Sequence, residues 1–195
     1  MTKNHYQVAR VSMLLACIVL YVDTAYGRDV HHSVPDLLTS FFPHSDRIVY
    51  ETVETRRHRD TLRKHLGYVP ERNRFVVFVA LSGRNVDGYV VVDNENGRYD
   101  PITFGIKISA DLQILACEVM VYRGPRGDEI RDRRFLEQFQ GKSPGDRLTM
   151  AEIDIMTGAT LSSKAAMKVV ARALVLAQIV DRRLHTSVTI PKRPE

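Results

Sequence analysis

The sequence predicts an α+β fold in which an antiparallel β-meander packs against helices. Four short runs rich in β-branched residues follow one another between residues 75 and 122, separated only by turn-forming residues. A long segment with apolar residues at helical spacing, residues 161–180, comes after them. Strands succeeded by packed helices are typical of the α+β class, and short turns between consecutive strands imply antiparallel pairing.

Three elements are predicted before the meander: a short helix, a strand and a charged helix, at residues 35–42, 47–54 and 55–66. Ser33 is the expected N-cap of the first helix, and Pro35 suits its first turn. Gly67 is expected to end the charged helix. The basic run 56–59 (RRHR) is interpreted as a solvated face of that helix.

The four strands of the meander are predicted at residues 75–81, 88–93, 102–109 and 113–122. In the third strand, apolar residues from Ile102 to Ile108 alternate with small or polar ones, the period of two expected when one face of the sheet is covered. Cys117 lies in the middle of the fourth strand and is interpreted as a small core residue.

A glycine-rich loop, a helix and the long helix are predicted after the sheet, at residues 123–128, 132–140 and 161–180. Gly141 is expected to end the shorter helix, which would bury its two phenylalanines. In the long helix seven apolar residues share one face, while Lys164, Lys168 and Arg172 form a basic row on another.

Residues 1–27 resemble a secretory signal. Basic residues precede a twelve-residue apolar run, 11–22, and Ala25-Tyr26-Gly27 places small residues before a cleavage point at Arg28. The run is shorter than the roughly 20 apolar residues of a membrane span, although a retained N-terminal anchor is the alternative interpretation. We therefore expect an exported periplasmic or extracytoplasmic protein, with one domain at residues 28–195.

The composition argues against several classes of function. The chain has 28 basic and 23 acidic residues, a net charge of +5, and lacks the basic block or stripe of nucleic-acid-binding proteins. Removal of the signal would leave Cys117 as the only cysteine, so no internal disulfide is expected. His31 and His32 are adjacent but the other histidines are isolated, so no metal site is expected.

The segment DIMTGAT, residues 154–160, directly precedes the long helix and combines an acid, two threonines, a glycine and an alanine. A helix N-cap at Thr160 or Ser162 would explain one hydroxyl but not the whole pattern. The segment lacks the Gly-Lys-Ser/Thr of a phosphate-binding loop and the G-x-S-x-G of serine hydrolases. Neither of those chemistries is therefore predicted.

The pattern Asp154-x-x-Thr157-Gly158-Ala159-Thr160 resembles the target site of the flavin transferase that attaches FMN to a threonine through its phosphate. This site is typical of the FMN-binding domain family, which includes the C subunit of the sodium-pumping NADH:quinone reductase and the G subunit of the Rnf complex. Further stretches between Tyr89 and Phe139 are similar, in the same order, to stand-alone exported members of the family. The resemblance covers roughly residues 35–180.

The resemblance implies that FMN is held covalently at Thr160, with FAD as the donor. Other residues are expected to contact the cofactor or to be read by the transferase: Asp154, Thr157, Gly158, Ala159 and Ser163 in the motif, and Thr103, Tyr122, Gly127 and Glu129 towards the isoalloxazine ring. The family often has Glu where this chain has Gly124, so no flavin contact by that side chain is expected.

The predicted function is electron transfer between membrane or extracytoplasmic redox proteins, with the FMN as carrier and without catalytic residues of the protein's own. Flavin suits this role because it accepts one or two electrons. Two alternatives stay open. One is a flavin-dependent extracytoplasmic reductase of a small molecule, and the other is a non-redox accessory domain of the same fold.

Overall fold

The computed structural model describes residues 29–30, 33–124 and 128–188. The predicted signal and cleavage point lie outside the described residues, and so do His31, His32 and Gly127. Within the described part of the chain, no helix combines the length and the apolarity that crossing a membrane requires.

Six strands form one antiparallel sheet in the order β1-β6-β5-β4-β3-β2. The strands are β1 (Asp29–Val30), β2 (Arg47–Glu54), β3 (Arg74–Ser82), β4 (Asn85–Asn96), β5 (Pro101–Ser109) and β6 (Ile114–Tyr122). The predicted meander is confirmed as β3 to β6, and β2 adds to the edge at β3. Strand β4 is longer at both ends than predicted, because residues 85–86 pair with β3 and residues 94–96, which were expected to turn, still pair with β5.

In the part of the chain that the structure describes, four α-helices accompany the sheet: α1 (Val34–Phe41), α2 (Arg59–Leu66), α3 (Arg133–Glu137) and α4 (Thr160–Val188), with a 3-10 turn at Asp128–Arg131. Ser33 caps α1 as predicted, since its side chain accepts a hydrogen bond from the Asp36 N–H. The predicted start of the charged helix was wrong. Residues 56–58 form turns, closed for example by the bond from the His58 N–H to the Thr55 carbonyl (3.2 Å), before α2 begins. Gly67 ends α2 in the left-handed conformation (φ 78°).

Both faces of the sheet are covered, whereas the alternation in β5 had predicted one. Helix α4 covers the first face, where it packs on a large core that includes Tyr89, Phe104 and Ile106. Helix α1 shares a second, smaller core with Phe78, Val90 and Met120 on the opposite face. Gly105 makes room for α1, because a Cβ atom there would lie 2.4 Å from a methyl carbon of Leu37.

The direction of α4 across the sheet decides where the candidate motif lies. Near the C-terminal end of α4, the Tyr89 phenol donates to Asp181 at 2.7 Å, whereas Arg172 pairs with Asp93 further along β4. Moving towards the start of α4 therefore means moving towards the C-terminal end of β4. The N-terminus of α4, at Thr160, accordingly lies towards the end of the sheet where β5 begins and β6 ends.

Arg172, which the sequence predicts in a basic row with Lys164 and Lys168 on a second face of α4, is buried. Its guanidinium pairs with Asp93 (2.5 Å) and Glu95 (3.0 Å), and it donates to the Tyr68 hydroxyl (2.8 Å). Burial alone would lower the pKa of Arg172, but the attraction of the Asp93 carboxylate outweighs it and raises the pKa. The charged pair thus fastens the middle of α4 to β4. Cys117 is a buried core residue, as predicted.

Candidate functional site

Helix α4 begins without a side-chain cap. The Ala159 carbonyl accepts the first bond of the helix, from the Ser163 N–H at 2.8 Å, so Ala159 occupies the N-cap position and Thr160 is the first helical residue. A methyl group offers no acceptor, and the predicted cap by Thr160 or Ser162 was therefore wrong. The N–H groups of the first turn have no acceptor within the helix, and no acidic side chain lies in that turn.

The chain enters α4 through a tight turn at Gly158. Its φ angle of 83° lies in the left-handed region, where a residue with a side chain is strained. A Cβ atom at this position would meet nothing within 4 Å, so the backbone conformation and not lack of space favours glycine. Thr157 and Gly158 are both exposed, and the open surroundings let a second protein approach the segment.

Ser163 fastens the motif to the first turn of α4. Its fully buried hydroxyl donates to the Ala159 carbonyl at 3.0 Å and accepts from the Met156 N–H at 3.2 Å. The sequence had suggested that Ser163 contacts the cofactor, but the structure shows its hydroxyl engaged in these two internal bonds. Ser162 is buried as well, at 3% exposure.

Asp154 is held through its backbone by a residue to which the sequence assigned no role. The side-chain amide of Gln138, just after α3, accepts from the Asp154 N–H (2.7 Å) and donates to the Asp154 carbonyl (3.1 Å). This pair of bonds ties the motif to the segment that follows the 3-10 turn. The Asp154 carboxylate itself is exposed, which makes it available to another molecule.

Tyr122 and the loop after β6 lie towards the same end of the sheet as Thr160. Tyr122 is buried on the α4 face, and the Arg131 guanidinium stacks over its ring at 5.7 Å. A Cβ atom at Gly124 would lie 3.0 Å from the Tyr122 hydroxyl oxygen. The glycine that departs from the family pattern therefore lets the main chain pack against this ring. Glu129 is exposed in the 3-10 turn.

The structure does not bring Thr103 and Tyr122 to one face of the sheet. Thr103 alternates with Ile102 and Phe104, which both pack on the α4 side, so its side chain faces the α1 side. Arg123 donates to the Pro101 carbonyl at 2.9 Å and lies 3.5 Å from the Thr103 hydroxyl. Among the described residues no group of three or more His, Cys, Asp or Glu side chains is placed to hold a metal ion.

Comparison with known proteins bears on the segment from the end of β4 to the middle of α4. Residues 97–175 match the model of the FMN-binding domain family, a span that contains the whole DIMTGAT motif. This part of the chain belongs to the FMN-binding domain family. The crystal structure of Shewanella oneidensis NqrC resembles the FMN-binding domain with a TM-score of 0.50 and 14% identity, over 90% of this chain and 97% of that one. At that identity the likeness shows a common fold. No curated protein matches the chain.

The start of α4 in this FMN-binding domain suits a phosphate ester. Unpaired N–H groups and the helix dipole favour an anion at a helix N-terminus. The first turn carries no acidic side chain that would oppose it, and Lys164, one turn further on, is exposed. Thr160 is half-buried and is the first residue of this helix.

Proposed function

We propose that this protein is an extracytoplasmic electron-transfer flavoprotein that carries FMN esterified through its phosphate to Thr160. One observation carries the proposal: the part of the chain that matches the FMN-binding domain family places this threonine first in a long helix whose N-terminus has no side-chain cap. Thr160 is the attachment site, and the backbone N–H groups at the start of α4 stabilise the charge of the phosphate.

The attachment transfers FMN, through its phosphorus atom, from FAD to a hydroxyl oxygen of the protein. FAD is the only other reactant that this step consumes. The Thr160 hydroxyl oxygen attacks the phosphorus atom on the FMN side of the FAD pyrophosphate, and the bond from that phosphorus to the bridging oxygen breaks. AMP leaves, and the hydroxyl proton passes to a base of the flavin transferase. This protein contributes the nucleophile and the conformation of the segment, while the transferase contributes the base and the metal.

Accessibility supports Thr160 over the neighbouring hydroxyl groups. Ser162 and Ser163 are buried, and Ser163 is engaged in internal bonds, so neither is exposed to a second protein. Thr157 is exposed but precedes the helix and lies on the other side of the Gly158 turn. Among these four hydroxyl residues, Thr160 alone lies in the first turn of α4 and has access to solvent.

The exposed groups of the motif supply the features that a transferase would recognise. The Asp154 carboxylate points to solvent from a backbone that Gln138 holds in place, and Gly158 leaves open space beside the turn. We assign both residues to recognition. The flavin so attached would exchange electrons with membrane or extracytoplasmic redox proteins, and the apolar N-terminal segment is the reason for placing this exchange outside the cytoplasm.

The intact mass of the exported protein, after co-expression with a flavin transferase, tests the proposal. The wild-type protein and the Ser162→Ala variant should each carry one FMN, and the Thr160→Ala variant should carry none. Peptide mapping should place the adduct on the peptide that contains Thr160. An adduct on Thr160→Ala would show that another hydroxyl is the acceptor, and an unmodified wild-type protein would favour a non-redox accessory domain instead.

A further inference from the structure

A cleft of about 520 Å³ lies between the end of α2, the loop of residues 143–150 and one face of α4. This volume falls within the range of small-molecule sites, roughly 300–1,000 Å³. Neither the motif nor the loop after β6 accounts for it. The cleft is bounded on three sides by different elements, so a ligand would contact all three.

The floor of the cleft is apolar. Met167, Leu174 and Val175 contribute from α4, where all three are buried as part of the main core. Leu66 from α2 and Leu148 from the loop are half-buried and pack against the same core. A molecule with an apolar body would therefore gain hydrophobic contacts on a surface already fixed by the fold.

The rim of the cleft carries more positive than negative charge. Lys164 and Arg147 are both exposed there, and Lys168 lies 3.5 Å from the carboxylate of Glu95. The rim contains one acid, Asp146, which accepts a hydrogen bond from the Ser143 N–H at 2.7 Å and so supports the loop. An apolar floor beneath a cationic rim is complementary to a ligand that has an apolar body and an anionic head.

The cleft begins one helical turn from the proposed FMN attachment site. Lys164, Met167, Lys168 and Ala171 line it at spacings of three and four residues, which places them on one face of α4. Thr160 lies four residues before Lys164, on the same face and about 6 Å along the helix axis. The cleft and the attachment site are thus neighbours on a continuous stripe of α4.

We propose that this cleft binds a small molecule with an apolar body of one or two rings and a single anionic head group. The body lies on the floor formed by Met167, Leu174 and Leu148, and the head lies between Lys164 and Arg147. This site goes beyond the proposed electron-transfer role and does not depend on FMN, because the residues that form it are separate from Thr160.

The test measures the binding of two probes to the purified protein without FMN. The probes, 2-naphthoate and the neutral 2-naphthylmethanol, have the same ring system and similar size but differ in charge. Calorimetry should show 2-naphthoate binding about tenfold more tightly than the alcohol. In protein with labelled methionine methyl groups, the Met167 and Met150 signals should shift, since both residues line the cleft. The double variant Lys164→Gln/Arg147→Gln should lose the tenfold preference and keep its affinity for the alcohol.

Arg182→Gln is the matched control, because Arg182 is an exposed cation of α4 outside the cleft. It should leave both affinities unchanged. Equal affinity for the two probes, no binding of either, or methionine signals that stay in place would overturn the proposal. Protein without FMN is used throughout, so a negative result leaves the attachment at Thr160 untouched, and a failed attachment leaves this test unaffected.

Discussion

Ser163→Ala should loosen the DIMTGAT motif, residues 154–160, without unfolding the protein. The Ser163 hydroxyl forms two side-chain bonds between the motif and the first turn of α4, one with the Met156 N–H and one with the Ala159 carbonyl. Alanine removes both bonds and leaves the rest of the helix intact. The backbone bonds from the Ala159 N–H to the Met156 carbonyl (3.0 Å) and from the Ser163 N–H to the Ala159 carbonyl (2.8 Å) remain, as do the two bonds of the Gln138 side chain to the Asp154 backbone at the far end of the motif.

The magnitude follows from the two bonds that are lost. Each intramolecular hydrogen bond contributes about 1 kcal/mol net, so the variant should destabilise the closed motif by about 2 kcal/mol. Since 1.4 kcal/mol corresponds to a factor of ten, the open fraction of the motif should rise roughly 30-fold. The loss is local, and the main core keeps all of its apolar contacts.

Hydrogen exchange and labelling kinetics check this expectation together. The amide of Met156 should exchange about 30-fold faster in the variant, and FMN incorporation at limiting transferase should slow, because the transferase must bind a less ordered segment. Ser162→Ala is the control, since Ser162 is also buried in the first turn but forms neither of the two bonds. Unchanged exchange at Met156 in Ser163→Ala would refute the reasoning, whatever the labelling rate.

Three further expectations concern the turn, the buried ion pair and the pH dependence of stability. Gly158→Ala should cost about 1–2 kcal/mol in the turn, because a Cβ atom is strained at φ 83°, and the intact mass should show less FMN than in wild type. Arg172→Met should lower the free energy of unfolding in urea by about 3 kcal/mol, the low end of the cost of breaking a buried pair, because Asp93 keeps Arg72 as a second partner at 3.0 Å; a loss below 1 kcal/mol would contradict it. Burial and then the charge of Arg183 lower the pKa of His58 below 6.5, so unfolded chains bind the proton more readily. Stability should therefore fall as pH drops below about 6.5, and His58→Gln should flatten this fall in urea titrations at pH 5 to 8.

Much of the fold could be predicted because its signals are local. Turn residues and β-branched runs fixed the meander to within a few residues, and Ser33 and Gly67 marked helix ends through their own backbone chemistry. The motif at residues 154–160 was visible because its residue types and spacing are contiguous in the chain. These features depend on neighbours a few positions away, which a sequence displays directly.

Other features of the site were decided by partners distant in the sequence. The bonds of Gln138 to Asp154 span sixteen residues, and the bonds of Arg172 to Asp93 and Glu95 span more than seventy. A basic residue in a helical pattern normally indicates a solvated position, so the burial of Arg172 could be known only from the acids that β4 places opposite it. The role of Ser163 could not be predicted either, because from the sequence its hydroxyl could equally contact a cofactor or form internal hydrogen bonds.

By itself the sequence determined the class of fold, the order of the four meander strands and the position of the DIMTGAT motif, whereas the places of β1 beside β6 and β2 beside β3 came from the tertiary structure. The tertiary structure decided that α4 runs eight residues beyond the apolar pattern, to Val188. That extension is mostly polar, and two hydrogen bonds join it to the sheet. Tyr89 donates to Asp181, and Arg183 donates to the Thr52 carbonyl of β2. The apolar periodicity of a helix indicates only where apolar side chains are buried. It cannot predict helical turns that are stabilised by polar contacts with a strand distant in the sequence, so the end of α4 was known only from the tertiary structure.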